Sequence, residues 1–358
     1  MPANVDSGTA MNLPPLPPQP ADVAWPTKAW PQGALPAGVD AARLGGLVDH
    51  ALGRVQTDDL GETHALLIVQ GGRLVLERYG PGRGPDQTFP SWSMAKSITQ
   101  ALVGLAVGDG LIDVHAAADV PEWRGEGDPR AAITPDLLLR MSSGLDFVED
   151  YVPDHPSDVI EMLWGAGKDD VAHYAAAKAL EHAPGAFWYY SSGTTNIVSR
   201  CIARALGAHG PDFEAWMRRR LFEPIGMTSA QPKFDPAGTF IGSSFCFCTA
   251  RDFARFGLLY LRDGIWQGRR LLPAGWVDYA RTPTWQQPND DGPYGSHWWL
   301  ETGGPGSFAA HGFGGQFIVV VPDLDMVVVR SGDTPLAQKL NPKAWIAEVV
   351  DCFRPRSG

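Results

Sequence analysis

Hydrophobic and polar positions divide the chain into two kinds of territory. Residues 64–70 and 73–79 are apolar, β-branched runs separated by Gly71-Gly72, a strong hairpin signal. From Ser93 the period becomes helical, with Ile98, Leu102, Leu105 and Ala106 on one face and Gly108-Asp109-Gly110 as the stop. Residues 111–240 read mostly as short helices and irregular connections. Thr134-Pro135-Asp136 opens a helix with a cap and a first-turn proline, and Gly144 is expected to close it. A second helix runs from Thr194 to a stop at Gly207. Thr249 with Asp252 has the form of a capping box before a helix carrying Phe253, Phe256, Leu259 and Tyr260. Strand patterns return at 297–300, 307–311, 317–321 and 326–330, with a turn at 322–325, and a helix over 342–352 ends the pattern. No internal repeat is visible. The reading is an α/β (α+β) protein whose sheet draws on both ends of the chain. The sheet domain is expected over 40–98 and 245–358, a helical domain over 99–244, and a Pro-rich arm over 1–39.

Composition narrows the function classes. The chain has 358 residues, 44% apolar and 19% charged, which suits an ordinary globular protein of two domains or one with an insertion. Twenty-nine basic against forty acidic side chains leave a net charge of −11, which disfavours nucleic-acid and anionic-membrane partners. The longest apolar runs are strand-length, so no spanning helix is expected. The N-terminus has no signal-peptide pattern, and Cys201, Cys246, Cys248 and Cys352 are too few and scattered for a disulfide framework. A cytoplasmic protein is the expectation. Cys246-Phe247-Cys248 fits a buried strand better than a metal site.

The candidate chemistry centres on Ser93-Met94-Ala95-Lys96. Three residues apart on a helix, both side chains share a face. A hydroxyl needs an adjacent base to act as a nucleophile, and a lysine serves if burial or a neighbouring cation lowers its pKa. The helix N-terminus adds positive potential where an oxyanion would form. The rival reading makes Ser93 a cap and Lys96 a solvated side chain, and S-x-x-K arises by chance roughly 0.3 times in such a chain. The chain contains no G-x-S-x-G elbow, H-E-x-x-H or P-loop. Downstream, 184–193 ends in Tyr190-Ser191-Ser192-Gly193 at a helix start, with Tyr189 and Tyr294-Gly295-Ser296 as rival tyrosines. His311-Gly312-Phe313-Gly314-Gly315 precedes an apolar strand.

Taken in that order, these motifs resemble the serine β-lactamase and penicillin-binding-protein superfamily, with its S-x-x-K, Y-x-[NS] and [KH]-x-G signatures. Met141-Ser142-Ser143-Gly144-Leu145, 221–227 and 250–257 look alike too, so the likeness covers nearly the whole chain. Residues 146–151, an acidic loop ending in Tyr151, are most similar to the 6-aminohexanoate-dimer hydrolase and esterase branch, which is related to class C β-lactamases.

The resemblance implies a β-lactamase-like fold, a mainly antiparallel sheet flanked by helices, with the site between sheet and helical region. It makes Ser93 the acylated nucleophile, Lys96 its base and Tyr190 the proton shuttle, with Ser192 completing the second motif. It offers His311 as the polar residue of the third motif, here with the register shifted by one. It pairs the Gly314 N–H with that of Ser93 as an oxyanion hole, and makes Tyr151 either a hydrogen-bond partner of the substrate amide or a packing anchor. The implied reaction is hydrolysis of a small amide or ester without metal or organic cofactor. A β-lactamase or D-alanyl-D-alanine carboxypeptidase activity is the alternative, and a non-catalytic scaffold a lesser one. A homodimer is left open. One ring of Trp298-Trp299 is expected in the core and the other in a pocket wall. The acidic cluster of Glu149, Asp150, Asp154 and Asp158 reads as a solvated loop, with an amine site as its rival.

Overall fold

The computed structural model describes residues 13–152, 155–284 and 292–355. Six antiparallel strands form the main sheet: β1 (Glu62–Gln70), β2 (Arg73–Tyr79), β3 (Trp299–Leu300), β4 (Phe308–Gly312), β5 (Gln316–Val321) and β6 (Met326–Asp333). Their spatial order is β2-β1-β6-β5-β4-β3, so strands from the two ends of the chain meet where β1 pairs with β6. The β1–β2 hairpin turns at Gly71 and Gly72, both at positive φ.

The central strands read as unbroken apolar runs because both faces of the sheet are covered. Leu66, Ile68, Val319, Val321 and Val328 face α1 (Ala41–Leu52) and α5 (Asn341–Asp351). Leu67, Val69, Ile318, Val320, Val327 and Val329 join the larger core, which contains α2 (Met94–Gly108), α3 (Ser192–Leu206) and α4 (Ala250–Leu261). This larger core continues without a break into the helices of the middle third, through Trp123, Met162, Phe213 and Phe222.

Helix α2 lies at the centre. Every residue from Met94 to Ala106 is buried, so the single apolar face expected for it becomes an apolar cylinder. Two of its polar side chains are satisfied inside: Ser97 Oγ donates to His297 O at 2.7 Å, and Thr99 Oγ1 to Gly242 O at 3.1 Å.

Two local expectations change. The helix opened by Thr134 ends at Leu139 rather than running to Gly144, because Met141 takes a left-handed φ of 59° and turns the chain toward the site. Helix α3 begins at Ser192, two residues early, since the Ser191 side chain is the cap that accepts from Thr194 N. The Pro-rich arm lies along the surface from residue 13. Trp30 is buried in the core with its indole donating to Arg251 O, and Gln32 pairs beside Leu74 of β2. Among the described residues no helix is long and apolar enough to cross a membrane.

Candidate active site

Ser93 sits in the turn that feeds α2. Trp92, immediately before it, has a φ of 45°, a conformation costing on the order of 1–3 kcal/mol for a non-glycine residue. Its ring is held against Trp164, Phe245 and Phe313, which pins the turn. The Ser93 side chain makes no capping hydrogen bond, so the cap reading of this serine is set aside. One turn on, Lys96 is only 2% exposed. Its Nζ lies 3.0 Å from Ser93 Oγ, 2.9 Å from Ser192 Oγ and 3.1 Å from Ser243 O. Burial drives its pKa down to about 8, with the Glu149 carboxylate pulling in the opposite direction. Lys96 is therefore no solvated side chain.

The second wall comes from the entry to α3. Tyr189 N donates to Met141 O and Ser191 N to Met141 Sδ, so the left-handed turn at Met141 anchors the Tyr190–Ser192 segment. Lys96 Nζ lies over the Tyr190 ring at 4.7 Å, and that ring stacks on Trp299. Of the rival tyrosines, Tyr189 is 45% exposed, and Tyr294 is buried edge-on behind Tyr190. Gly193 follows the motif because a Cβ there would come within 2.7 Å of the Phe147 ring. This close approach brings in the loop that carries Glu149.

Glu149 corrects the solvated-loop reading. Its carboxylate accepts from Ser192 N, Ser192 Oγ and Tyr151 Oη, each at 2.7 Å. Asp158 is likewise engaged, accepting from Val148 N and Tyr174 Oη and pairing with Lys178. Asp150 accepts from Val152 N, and Asp154 lies outside the described residues. Tyr151 both bonds Glu149 and packs on Phe313 with ring centroids 5.4 Å apart.

The third wall is the end of β4. His311 stacks on Trp299 and meets Phe317 edge-on, bonds Thr302 Oγ1 through Nε2 at 2.7 Å, and is kept well below its ordinary pKa by burial. It lines the cleft as a neutral imidazole. Gly312 lies against the nucleophile segment so tightly that a Cβ would sit 2.3 Å from Ser91 O. Gly314, the expected oxyanion donor, follows in the turn at a φ of 71° and lines the cleft together with Ser93. The backbone that packs on the nucleophile segment is that of Gly312, at the end of β4. Buried Arg330 braces this turn by donating to Gly315 O at 2.6 Å while also holding Leu60 O and Thr334 Oγ1.

Ser93 opens onto a cleft of two chambers, with the Tyr151–Phe313 pair bordering both. One, of about 510 Å³, is lined by Glu149, Tyr190, Trp299, His311 and Lys343. The other, of about 750 Å³, is lined by Trp92, Ile160, Leu163 and Trp164. Exposed Trp164, Phe187, Tyr189, Phe313, Leu336 and Leu340 surround the opening, an apolar rim that marks a binding surface. Trp298 is core against Tyr260 and Phe308, and Trp299 is cleft wall. The four cysteines are free and buried, and no group of three or more metal-ligating side chains occurs among the described residues.

The structure therefore brings Ser93, Lys96, Tyr190, Ser192, Tyr151 and His311 to one cleft, with Gly314 on its lining. Sequence reading missed Glu149 as part of this centre. The available signal was Gly193, a glycine in the first turn of a helix directly after the Y-x-S motif.

Known proteins resemble this chain in sequence and in fold. The sequence profile of the family described as Beta-lactamase matches residues 58–343. The chain is similar to the 6-aminohexanoate-dimer hydrolase of Paenarthrobacter ureafaciens, 26% identical over 296 residues, which span 76% of this chain and 73% of that protein. Its fold is similar to a Bacillus anthracis structure provisionally named a 6-aminohexanoate-dimer hydrolase, with TM-score 0.71, 20% identity, and 94% and 90% of the two chains covered. A family VIII carboxylesterase shares the fold at TM-score 0.67 and 14% identity, covering 90% of this chain and 99% of that one.

Proposed function

Because the chain belongs to the beta-lactamase family and is a serine hydrolase, we propose that it cleaves small linear amides or esters through an acyl-enzyme on Ser93. The observation that carries this reading is the buried Lys96 amine held 3.0 Å from Ser93 Oγ. Lys96 takes the hydroxyl proton as Oγ attacks the carbonyl carbon. The developing oxyanion lies between the amide N–H of Ser93, at the start of α2, and that of Phe313, beside Gly312. Tyr190 passes a proton to the departing amine or alkoxide, and water then releases the acid by the reverse route. The relatives' names, a 6-aminohexanoate-dimer hydrolase and a carboxylesterase, and the two partly apolar chambers support a substrate with an aliphatic arm on each side of the scissile bond. Four unpaired thiols support a cytoplasmic setting.

A fluorophosphonate probe is expected to label the native chain on Ser93 and not a folded Ser93→Ala variant. A panel of p-nitrophenyl esters, 6-aminohexanoate dimer and nitrocefin then ranks ester, linear amide and β-lactam. Undiminished ester hydrolysis by purified Ser93→Ala would overturn the assignment.

A further inference from the structure

We propose that Glu149 is a positioning residue that aims the Lys96 lone pair at Ser93, acting through the hydroxyl of Ser192. The proposal rests on Ser93 and Lys96 being the nucleophile and base described above.

A neutral lysine amine has two N–H groups and one lone pair. Lys96 Nζ has three oxygen neighbours: Ser93 Oγ, Ser192 Oγ and Ser243 O. Ser243 O is a carbonyl and only accepts. A serine hydroxyl has one hydrogen and can either donate or accept toward the amine. Ser192 spends its hydrogen on Glu149 Oε1, 2.7 Å away, and a carboxylate only accepts. Ser192 Oγ is thereby left to receive a hydrogen from Lys96. Both amine hydrogens are taken, and the remaining direction, the lone pair, faces Ser93 Oγ. The second carboxylate oxygen, bonded to Ser192 N, and the Tyr151 hydroxyl on Oε1 keep Glu149 from turning away. Ser192 is 1% exposed, so water does not replace this arrangement.

Glu149→Gln tests the orientation with little change of shape. The glutamine oxygen must face the Ser192 N–H, so its NH₂ faces Ser192 Oγ. The hydroxyl hydrogen is then released toward Lys96, and the amine lone pair is drawn off Ser93. The readout is the rate of inactivation by a fluorophosphonate probe, resolved into its limiting rate and half-saturating concentration.

Glu149→Gln is expected to lower the limiting rate at least about tenfold with the half-saturating concentration unchanged. Ser192→Ala is expected to cost a similar factor, and the double variant no more than about twofold beyond the slower single one. Ser192→Asn supplies a carbonyl acceptor that needs no help from Glu149, so in that background Glu149→Gln should cost less than about twofold. Multiplicative losses in the double variant, or a wild-type limiting rate in Glu149→Gln, would overturn the proposal. Should Glu149→Gln melt well below wild type, the pair Ser192→Ala (slow) and Ser192→Asn (near wild type) carries the test, and a fast Ser192→Ala overturns it. A native chain that never labels on Ser93 would refute the underlying reaction instead, a separate result.

Discussion

The pKa of Lys96 makes a quantitative demand on the pH dependence of the reaction. Held at about 8 rather than 10.5, the amine is neutral in about 9% of molecules at pH 7, against about 0.03% for an ordinary lysine, a gain of about 300-fold in available base. With an uncharged p-nitrophenyl ester, kcat/KM should rise about tenfold per pH unit below pH 8 and level above it. His297, Tyr151 and Tyr294 do not supply such a limb. Burial and the Lys96 charge push His297 down to about 3, and burial carries Tyr151 and Tyr294 well above 10. Lys96→Arg keeps a cation that does not deprotonate and should lose activity nearly as completely as Lys96→Ala. The same depression acts on stability. The folded value lies below the unfolded one, so between about pH 8 and pH 10.5 the unfolded chain binds more protons, and stability rises with pH. Relative to Lys96→Met, the wild type should gain about 3 kcal/mol across that window and nothing below it, measured by urea denaturation. A flat kcat/KM between about pH 6 and pH 9, or Lys96→Arg retaining more than about a tenth of wild-type activity, would refute the base role.

Two further substitutions test the other walls of the cleft. Tyr190→Phe should depress amide turnover at least about tenfold more than p-nitrophenyl ester turnover, since an amine leaves only when protonated and p-nitrophenolate leaves unaided, while Tyr189→Phe shows no such split; equal losses on both substrates count against proton delivery by Tyr190. Gly312→Ala must part β4 from Ser91, because its Cβ would sit 2.3 Å from the Ser91 carbonyl oxygen. A displacement of that size should cost about a hundredfold in kcat/KM, and unchanged ester kinetics would show that this approach does not shape the site.

Where the physics was local, the sequence was legible. The Gly71-Gly72 hairpin, the strand runs and the cap at Thr249 are decided by a few adjacent residues, and the structure shows each of them. Strands covered on both faces lose alternation, yet their β-branched runs and short turns still identify them. Boundaries moved where a tertiary contact decided them. Met141 ends its helix by a left-handed turn that serves the Tyr190 segment, and nothing in 134–144 alone shows that need. The S-x-x-K pairing was legible because both partners lie on one helical turn.

The oxyanion donor and the carboxylate of Glu149 were not legible for a shared reason, namely that each depends on a distance across the fold. Which backbone N–H meets the nucleophile depends on how closely β4 approaches Ser91, and a motif register counts residues without measuring that approach. Glu149 belongs to an acidic run, and acidic runs are solvated unless a partner takes their charge out of water. Beyond Tyr151, its partners are distant in the chain: Ser192, 43 positions away, and through it Lys96, a further 96 positions back. The local trace of this arrangement is steric. Gly193 leaves room for Phe147, and Phe147 stands two residues before Glu149. A glycine placed where a helix would be steadier with alanine is a sign that another segment must come close. Here that segment brings the carboxylate that decides which way Ser192 turns its hydrogen.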